Sequence, residues 1–292
     1  MRNIAAVIIT YNTGNEFSKN VLSLKKHVGE VIVVDNGSNK ETLSMLRGLK
    51  EEITLIELNE NKGIAYALNR GIEYAVNNDF QWVLTLDHDS TVSDSMISNM
   101  LSVYNSIDES EKEKIVMLTP KHVEEKQMDV VSKSQENKWE YVLTEITSGA
   151  LTKADFYKNQ LYDEKLFIDL VDHDYCLRIN SMGYKIIRVN SAILIHNLGE
   201  SIQKKILGIT ITPTNHSALR RYYMSRNRKY IWNKYRGTFK EWVIKDKIRS
   251  LNEIVKIIAF EDEKLNKLKM IKLGLNDYKD KKWGCYFNHH SK

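Results

Sequence analysis

Two short acidic clusters stand out as spacings that could do chemistry. Asp87-His88-Asp89 sets two carboxylates one residue apart, directly after the apolar run Trp82-Val83-Leu84-Thr85-Leu86. Neighbouring carboxylates repel, and a strand end tolerates them best around a shared cation. Hard oxygen donors suit Mg2+ or Mn2+, with a diphosphate as the natural co-ligand. The plainer alternative is a solvated acidic turn. The second cluster, Asp169-Leu170-Val171-Asp172-His173-Asp174, runs into Tyr175-Cys176-Leu177-Arg178 and has the spacing of a helix start. Carboxylates favour the first turn, where free amides point outward, so Asp172 can cap or begin that helix. Asp174 has the i, i+4 spacing to pair with Arg178.

These clusters must be positioned by the elements around them. Short β-branched runs at 4–10, 30–35, 53–58 and 82–86 alternate with amphipathic stretches, the pattern of parallel strands joined by helices. Phe17, Val21, Leu24 and Val28 give the first helix its apolar stripe. Ligands of such sheets bind beyond the carboxyl ends of the strands. There stand Thr10-Tyr11-Asn12, Asp35-Asn36-Gly37-Ser38, residues 59–63, and Asp87-His88-Asp89. Farther on, 115–118, 139–147, 185–189 and 192–196 read as strands. A helix near Asp172 sits between them, and long helices are expected over 216–235 and 239–260.

The chain of 292 residues carries 42% hydrophobic and 28% charged residues with two prolines, the composition of an ordered globular protein. Its apolar runs have strand length, far below the ~20 residues of a membrane-crossing helix. No basic leader precedes the first run, so no secretory signal is expected, and Cys176 and Cys285 form no metal or disulfide pattern. Both features point to the cytoplasm. Charge is divided: residues 1–200 hold 21 Lys/Arg against 30 Asp/Glu, a net −9, and residues 201–292 hold 22 against 8, a net +14. A basic segment suits anionic lipid, nucleic acid or a phosphorylated substrate. No nucleic-acid motif accompanies it, so a nucleic-acid partner is not expected. The Gly-x-Gly-x-x-Gly turn of a dinucleotide-binding dehydrogenase is absent after the first run.

Taken in order, Val7-Ile8-Ile9-Thr10-Tyr11-Asn12, Val31-Ile32-Val33-Val34-Asp35-Asn36-Gly37-Ser38, Asn61-Lys62-Gly63-Ile64-Ala65 with Asn69 and Gly71, and Leu86-Asp87-His88-Asp89-Ser90 resemble the nucleotide-binding half of family 2 glycosyltransferases. The last segment looks closest to the bacterial dTDP-rhamnosyltransferase branch, in which Gln is usual where His88 stands. The resemblance implies an α/β GT-A fold with a mixed central sheet: a catalytic domain over 1–205, divided into a nucleotide-binding half (1–90) and an acceptor half (91–205), with a basic helical extension over 206–292.

It also implies roles. Thr10, Tyr11, Asn12, Asp35, Asn61, Lys62, Gly63, Asn69, Asp87 and His88 would bind the nucleotide-sugar. Asp89 and His196 would ligate a divalent metal, Mg2+ or Mn2+. Asp172 would be the general base. Ser148, Gly149, Asp174, Arg220 and Arg226 would line the donor or acceptor pocket. For each of these a turn, cap or packing role is the alternative. The implied activity is inverting transfer of a hexosyl unit, rhamnose from dTDP-rhamnose, to a hydroxyl of a glycan or lipid-linked glycan acceptor. The rivals are a galactofuranosyl or other hexosyl transferase using a UDP-sugar, and a sugar-nucleotide-binding protein without catalysis. The basic tail, with Tyr222, Tyr223, Trp232 and Trp242, is expected to permit peripheral contact with the inner face of the cell membrane.

Overall fold

Each apolar run of the first 90 residues becomes a strand, and the amphipathic stretches between them become helices. The computed structural model describes residues 2–14, 16–123, 138–195, 204–206, 209–211 and 215–290. The order is β1 (Ile4–Thr10), α1 (Glu16–Leu24), β2 (Glu30–Asn36), α2 (Lys40–Gly48), β3 (Thr54–Leu58), α3 (Ile64–Asn77) and β4 (Trp82–Asp87). α1 buries Phe17, Val21 and Leu24, as an apolar stripe of helical period requires. Within α3, a Cβ on Gly71 would stand 2.4 Å from Val7 Cγ1, so glycine is what lets this helix lie so close to β1.

Register does the positioning. β1 pairs in parallel with β2 on one side and β4 on the other, setting Thr10 opposite Asp35 and Ile9 opposite Asp87. The three carboxyl ends therefore finish level, and the polar residues after each strand emerge on one edge of the sheet.

The second half of the sheet is mixed. It contains β5 (Thr91–Val92), α4 (Met96–Asn105), α5 (Glu109–Lys112), β6 (Ile115–Val123), β7 (Trp139–Val142), β8 (Ala150–Lys153), α6 (Ala154–Tyr157), α7 (Val171–Ser181) and β9 (Lys185–Ile195). Spatial order is β3-β2-β1-β4-β8-β6-β9-β5, with β7 on β9. β8 runs antiparallel to β4 with Ala150 opposite Thr85, which brings the residues before β8 to the end of β4. The strand expected over 139–147 stops at Val142. The two runs expected at 185–189 and 192–196 form one strand, whose register with β6 slips between Pro120 and Lys121.

The chain divides into two compact units, Met1–Glu164 with Tyr175–Asn197, and Lys165–Asp174 with Leu198–Lys292. The core of the first lies around Val33, Leu84, Met100, Leu118 and Leu194. The second contains the antiparallel pair β10 (Lys204–Ile206) and β11 (Ile209–Ile211), then α8 (Ala218–Tyr235), α9 (Lys240–Phe260) and α10 (Lys264–Lys279). Its aromatic core joins Phe167, Tyr222 and Tyr223.

α10 falls within the helical extension expected over 206–292 but is not marked there as a separate element, because its sequence shows little one-sided apolarity. Packing makes it: a Cβ on Gly274 would lie 2.4 Å from Tyr222 O and Ser225 Oγ, so glycine allows the close crossing with α8. Many basic residues of α8 are interior. Arg221 pairs with Glu261 at 2.7 Å and Arg228 with Glu253 at 2.7 Å, which satisfies charges that burial alone would make costly. Tyr222 and Tyr223 are buried as well, so the expectation that they meet a membrane is corrected. Among the described residues, no helix is long and apolar enough to cross a membrane.

Candidate active site

The level strand ends of the first unit create a set of interlocked polar loops. Thr10 and Asp35 are both fully buried, and Thr10 Oγ1 donates to Asp35 Oδ1 at 3.3 Å. The other oxygen of Asp35 accepts the amides of Gly37 and Ser38 at 3.2 and 3.0 Å. This buried carboxylate is thus held by the turn it initiates. Asn12, at φ 53°, accepts the amide of Asn39 at 2.8 Å and donates its own amide to Ser38 Oγ at 2.9 Å. Asn36 accepts the Lys62 amide at 2.9 Å, and Asn61 accepts the Gly63 amide at 3.0 Å. Gly37 has φ 80°, and a Cβ there would meet the Glu60 backbone at 2.5 Å, so loop 59–63 folds directly over loop 35–38.

Two groups at this edge remain outward. The Tyr11 ring is 49% exposed, available for stacking on a planar base. Lys62 bonds Glu60, which raises the ammonium's pKa and keeps it charged.

The carboxylates of Asp87 and Asp89 lie exposed on either side of half-buried His88. Buried Ser148 clamps this turn: its Oγ accepts the Asp87 amide at 3.1 Å and bonds Ser90 Oγ at 2.7 Å. The Ser148 carbonyl in turn contacts His122 Nε2 at 2.9 Å. Gly149 has φ 82° and room for no Cβ, which would stand 2.6 Å from Pro120 Cγ. Ser148 and Gly149 therefore shape the acidic turn from behind. Ser90, which the sequence offers only as the end of the Leu86–Ser90 segment, and His122, which it does not single out, complete that support; they reach Ser148 only because β8 pairs with both β4 and β6. Among the described residues, no three His, Cys, Asp or Glu side chains gather as a metal site. Two exposed carboxylates nevertheless suit an octahedral ion that fills its other positions with water and diphosphate oxygens. His196 lies outside the described residues.

In the second unit, Asp172 occupies the first turn of α7. Its Oδ1 accepts both the His173 amide at 2.8 Å and His173 Nδ1 at 2.9 Å. Burial pushes the Asp172 carboxyl up, but the charge and hydrogen bonds of His173 outweigh it, and its pKa falls below the ordinary value. For His173, burial lowers the imidazole and Asp172 raises it further, leaving its pKa above the ordinary value. The segment that delivers this pair is strained, with Asp169 and Leu170 at φ 66° and 63°; each such residue costs about 1–3 kcal/mol. Two clamps from α8 hold it. Arg220 grips the Asp169 carboxylate through Nε and Nη2 at 3.0 and 2.9 Å. Asn227 Nδ2 donates to the Ile168 and Asp169 carbonyls at 2.8 and 3.0 Å.

Other expected site residues have interior duties. Asp174 is buried and accepts Lys234 Nζ at 2.7 Å and Tyr235 Oη at 3.1 Å. The pairing expected with Arg178 is replaced, because Arg178 turns to the Leu161 carbonyl and lies over the Tyr175 ring. Asn69 is buried, and its amide holds Tyr162 from both sides, accepting its N–H at 2.9 Å and donating to its carbonyl at 3.0 Å. Arg226 is fully buried. It donates to the Gly284 carbonyl at 2.9 Å and lies 5.1 Å over the Tyr223 ring.

The strand order, the mixed sheet and the acidic turn after β4 define a GT-A-type α/β fold. The profile of Glycosyl transferase family 2 matches residues 5–153, just over half of the chain, and the chain belongs to that family. Within it, the sequence stands near the rhamnosyltransferases: it is 28% identical over 239 residues to dTDP-rhamnosyl transferase RfbF of Shigella flexneri, covering 77% of this chain and 78% of that protein. It is also 43% identical over 72 residues to the uncharacterized glycosyltransferase YfnE of Bacillus subtilis strain 168, covering 22% and 18% of the two chains. Among solved structures, GalNAc-T7 with UDP, GalNAc and Mn2+ superposes with a TM-score of 0.60 at 14% identity over 96% of this chain. This chain spans 56% of that one. Staphylococcus aureus TarS 1–349 with UDP-GlcNAc gives a TM-score of 0.50 at 14% identity, over 95% and 73% of the two chains.

Proposed function

We propose that this chain is an inverting hexosyltransferase that moves L-rhamnose from dTDP-rhamnose to a hydroxyl of a glycan or lipid-linked glycan acceptor, at the cytoplasmic side of the membrane. The observation that carries the reading is the level ending of β1, β2 and β4, which sets Thr10 beside Asp35 and Asp87 one strand away. The choice of rhamnose is supported by the similarity to RfbF across 77% of the chain.

In this reading Tyr11, Asp35 and the loop of Asn61, Lys62 and Gly63 receive the nucleoside, and Asp87 and Asp89 face the ribose and diphosphate. Those two carboxylates would hold the divalent ion, Mg2+ or Mn2+, which when bound neutralises charge on the leaving diphosphate. Ser148 and Ser90 keep the acidic turn in place, so that no reorganisation accompanies reaction. Asp172 takes the proton of the acceptor hydroxyl as its oxygen bonds the anomeric carbon. The bond from that carbon to the diphosphate breaks on the opposite face, dTDP leaves, and the configuration inverts. The depressed pKa of Asp172 keeps it ionised and ready to accept. Arg220 and Asn227 act through the strained segment before α7, as positioning residues.

The test is nucleoside-diphosphate release from a panel of sugar nucleotides with and without chelator. Release from dTDP-rhamnose above UDP-glucose and UDP-galactose is expected. A clear preference for a UDP-hexose overturns the donor assignment, and full turnover in chelator overturns the metal.

A further inference from the structure

α9 is apolar on two sides. One side faces the interior through Val243 and Ile257. The other carries Ile244, Ile248, Leu251, Val255 and Ile258, which are 46 to 61% exposed. Their spacing of four, three, four and three residues aligns them along one face of the helix, over about 21 Å of its length. Beside this stripe runs an open groove of about 690 Å³, with Ile248, Val255 and Phe260 in its walls and Lys245, Arg249 and Lys256 around them. Its two carboxylates are already engaged, Glu253 by Arg221 and Arg228 and Glu261 by Arg221 and Lys267. Such a continuous exposed patch marks an interaction surface.

We propose that this face of α9 docks on an anionic lipid bilayer, lying in the plane of its surface. Charge selects that occupant. Lys247 borders one edge of the stripe, with Lys245 and Lys256 beyond the other; Glu241 is an exposed acid at its start, and Asp262 and Glu263 follow the helix end. A second copy would set this basic rim against itself, and like charges flanking an apolar seam oppose pairing. Anionic headgroups meet the same rim favourably, while the aliphatic row enters the acyl boundary and the lysine stems reach back to the phosphates. This surface lies wholly within the second unit and requires neither a particular donor nor Asp172 as base.

The experiment is co-sedimentation of the full chain with vesicles of phosphatidylglycerol or of phosphatidylcholine, over a salt series. Wild type should bind phosphatidylglycerol, bind phosphatidylcholine at least tenfold less, and lose binding as salt rises. Leu251→Ser/Val255→Ser should lose binding tenfold or more. Lys245→Gln/Lys247→Gln/Lys256→Gln should lose about fivefold per charge toward phosphatidylglycerol alone. Both variants should retain the wild-type circular dichroism and rate of nucleoside-diphosphate release. Equal binding to both lipids, or unchanged binding by the serine variant, overturns the proposal. So does a wild-type dimer in sedimentation equilibrium that the serine variant converts to monomer, which would make a second copy the occupant.

Discussion

Replacing Asp172 by asparagine separates chemistry from architecture, because the amide keeps the shape and one acceptor oxygen. In the folded protein that oxygen receives the His173 amide at 2.8 Å and Nδ1 at 2.9 Å, and an asparagine Oδ1 can accept both. Exchanging charge-assisted hydrogen bonds for neutral ones costs about 1 kcal/mol, the difference between ~1.5–3 and ~0.5–1.5 kcal/mol. Removing the base costs far more. A positioned carboxylate contributes ~10²- to 10⁴-fold to proton transfer, about 3–5.5 kcal/mol in the barrier. Asp172→Asn should therefore fold, bind donor as wild type does, and transfer at least a hundredfold more slowly. The assay combines thermal melting, donor titration and single-turnover transfer at saturating donor. Asp174→Asn is the contrast. That residue is buried against Lys234 and Tyr235, so its loss should appear as about 1–3 kcal/mol of stability, with transfer by the folded fraction largely kept. Transfer by Asp172→Asn within a few-fold of wild type would refute the assignment and leave Asp172 a helix-start residue.

Asp89→Ala should abolish turnover and the response to added Mn2+ while leaving the melting temperature near that of wild type, since its side chain is exposed; metal-dependent turnover in the variant would contradict this. Gly37→Ala should destabilise by about 1–3 kcal/mol, because φ is +80° and the new methyl would lie 2.5 Å from the Glu60 backbone; a denaturant melt measures it. The Asp172–His173 pair should also leave a pH signature. The raised pKa of His173 gives stability that is complete below ~6.5 and lost as pH rises through its folded value. The lowered pKa of Asp172 gives stability present above ~3.9 and lost as pH falls through its folded value. The melting-temperature difference between wild type and His173→Gln should accordingly peak between those limits and shrink on either side.

The first half of this protein was legible in its sequence because its signals are local. A buried strand writes itself as a short β-branched run, and the residue after it falls at the sheet edge wherever the strand pairs. Thus Thr10, Asp35 and Asp87 could be placed at strand ends from periodicity alone, and parallel register did the rest. The family resemblance, carried by the same loops, agrees with the profile match over residues 5–153. Local patterns also located α7, α8 and α9 to within a few residues.

What the sequence could not contain were relations between distant segments. Ser148 supports the Asp87 turn only because β8 runs antiparallel to β4. Asn69 is committed to Tyr162, 93 residues away. Arg220, which looked like a free anion grip, is occupied by Asp169, and Arg226 by backbone carbonyls and aromatic rings. A basic side chain reads the same in one dimension whether it awaits a phosphate or already has a partner. Only the tertiary structure decides, since a buried cation must find its compensating acceptors within the fold. The same reason divides the basic tail: its interior arginines hold the helices together, and Lys245 and Lys247 beside the aliphatic row of α9 stay exposed.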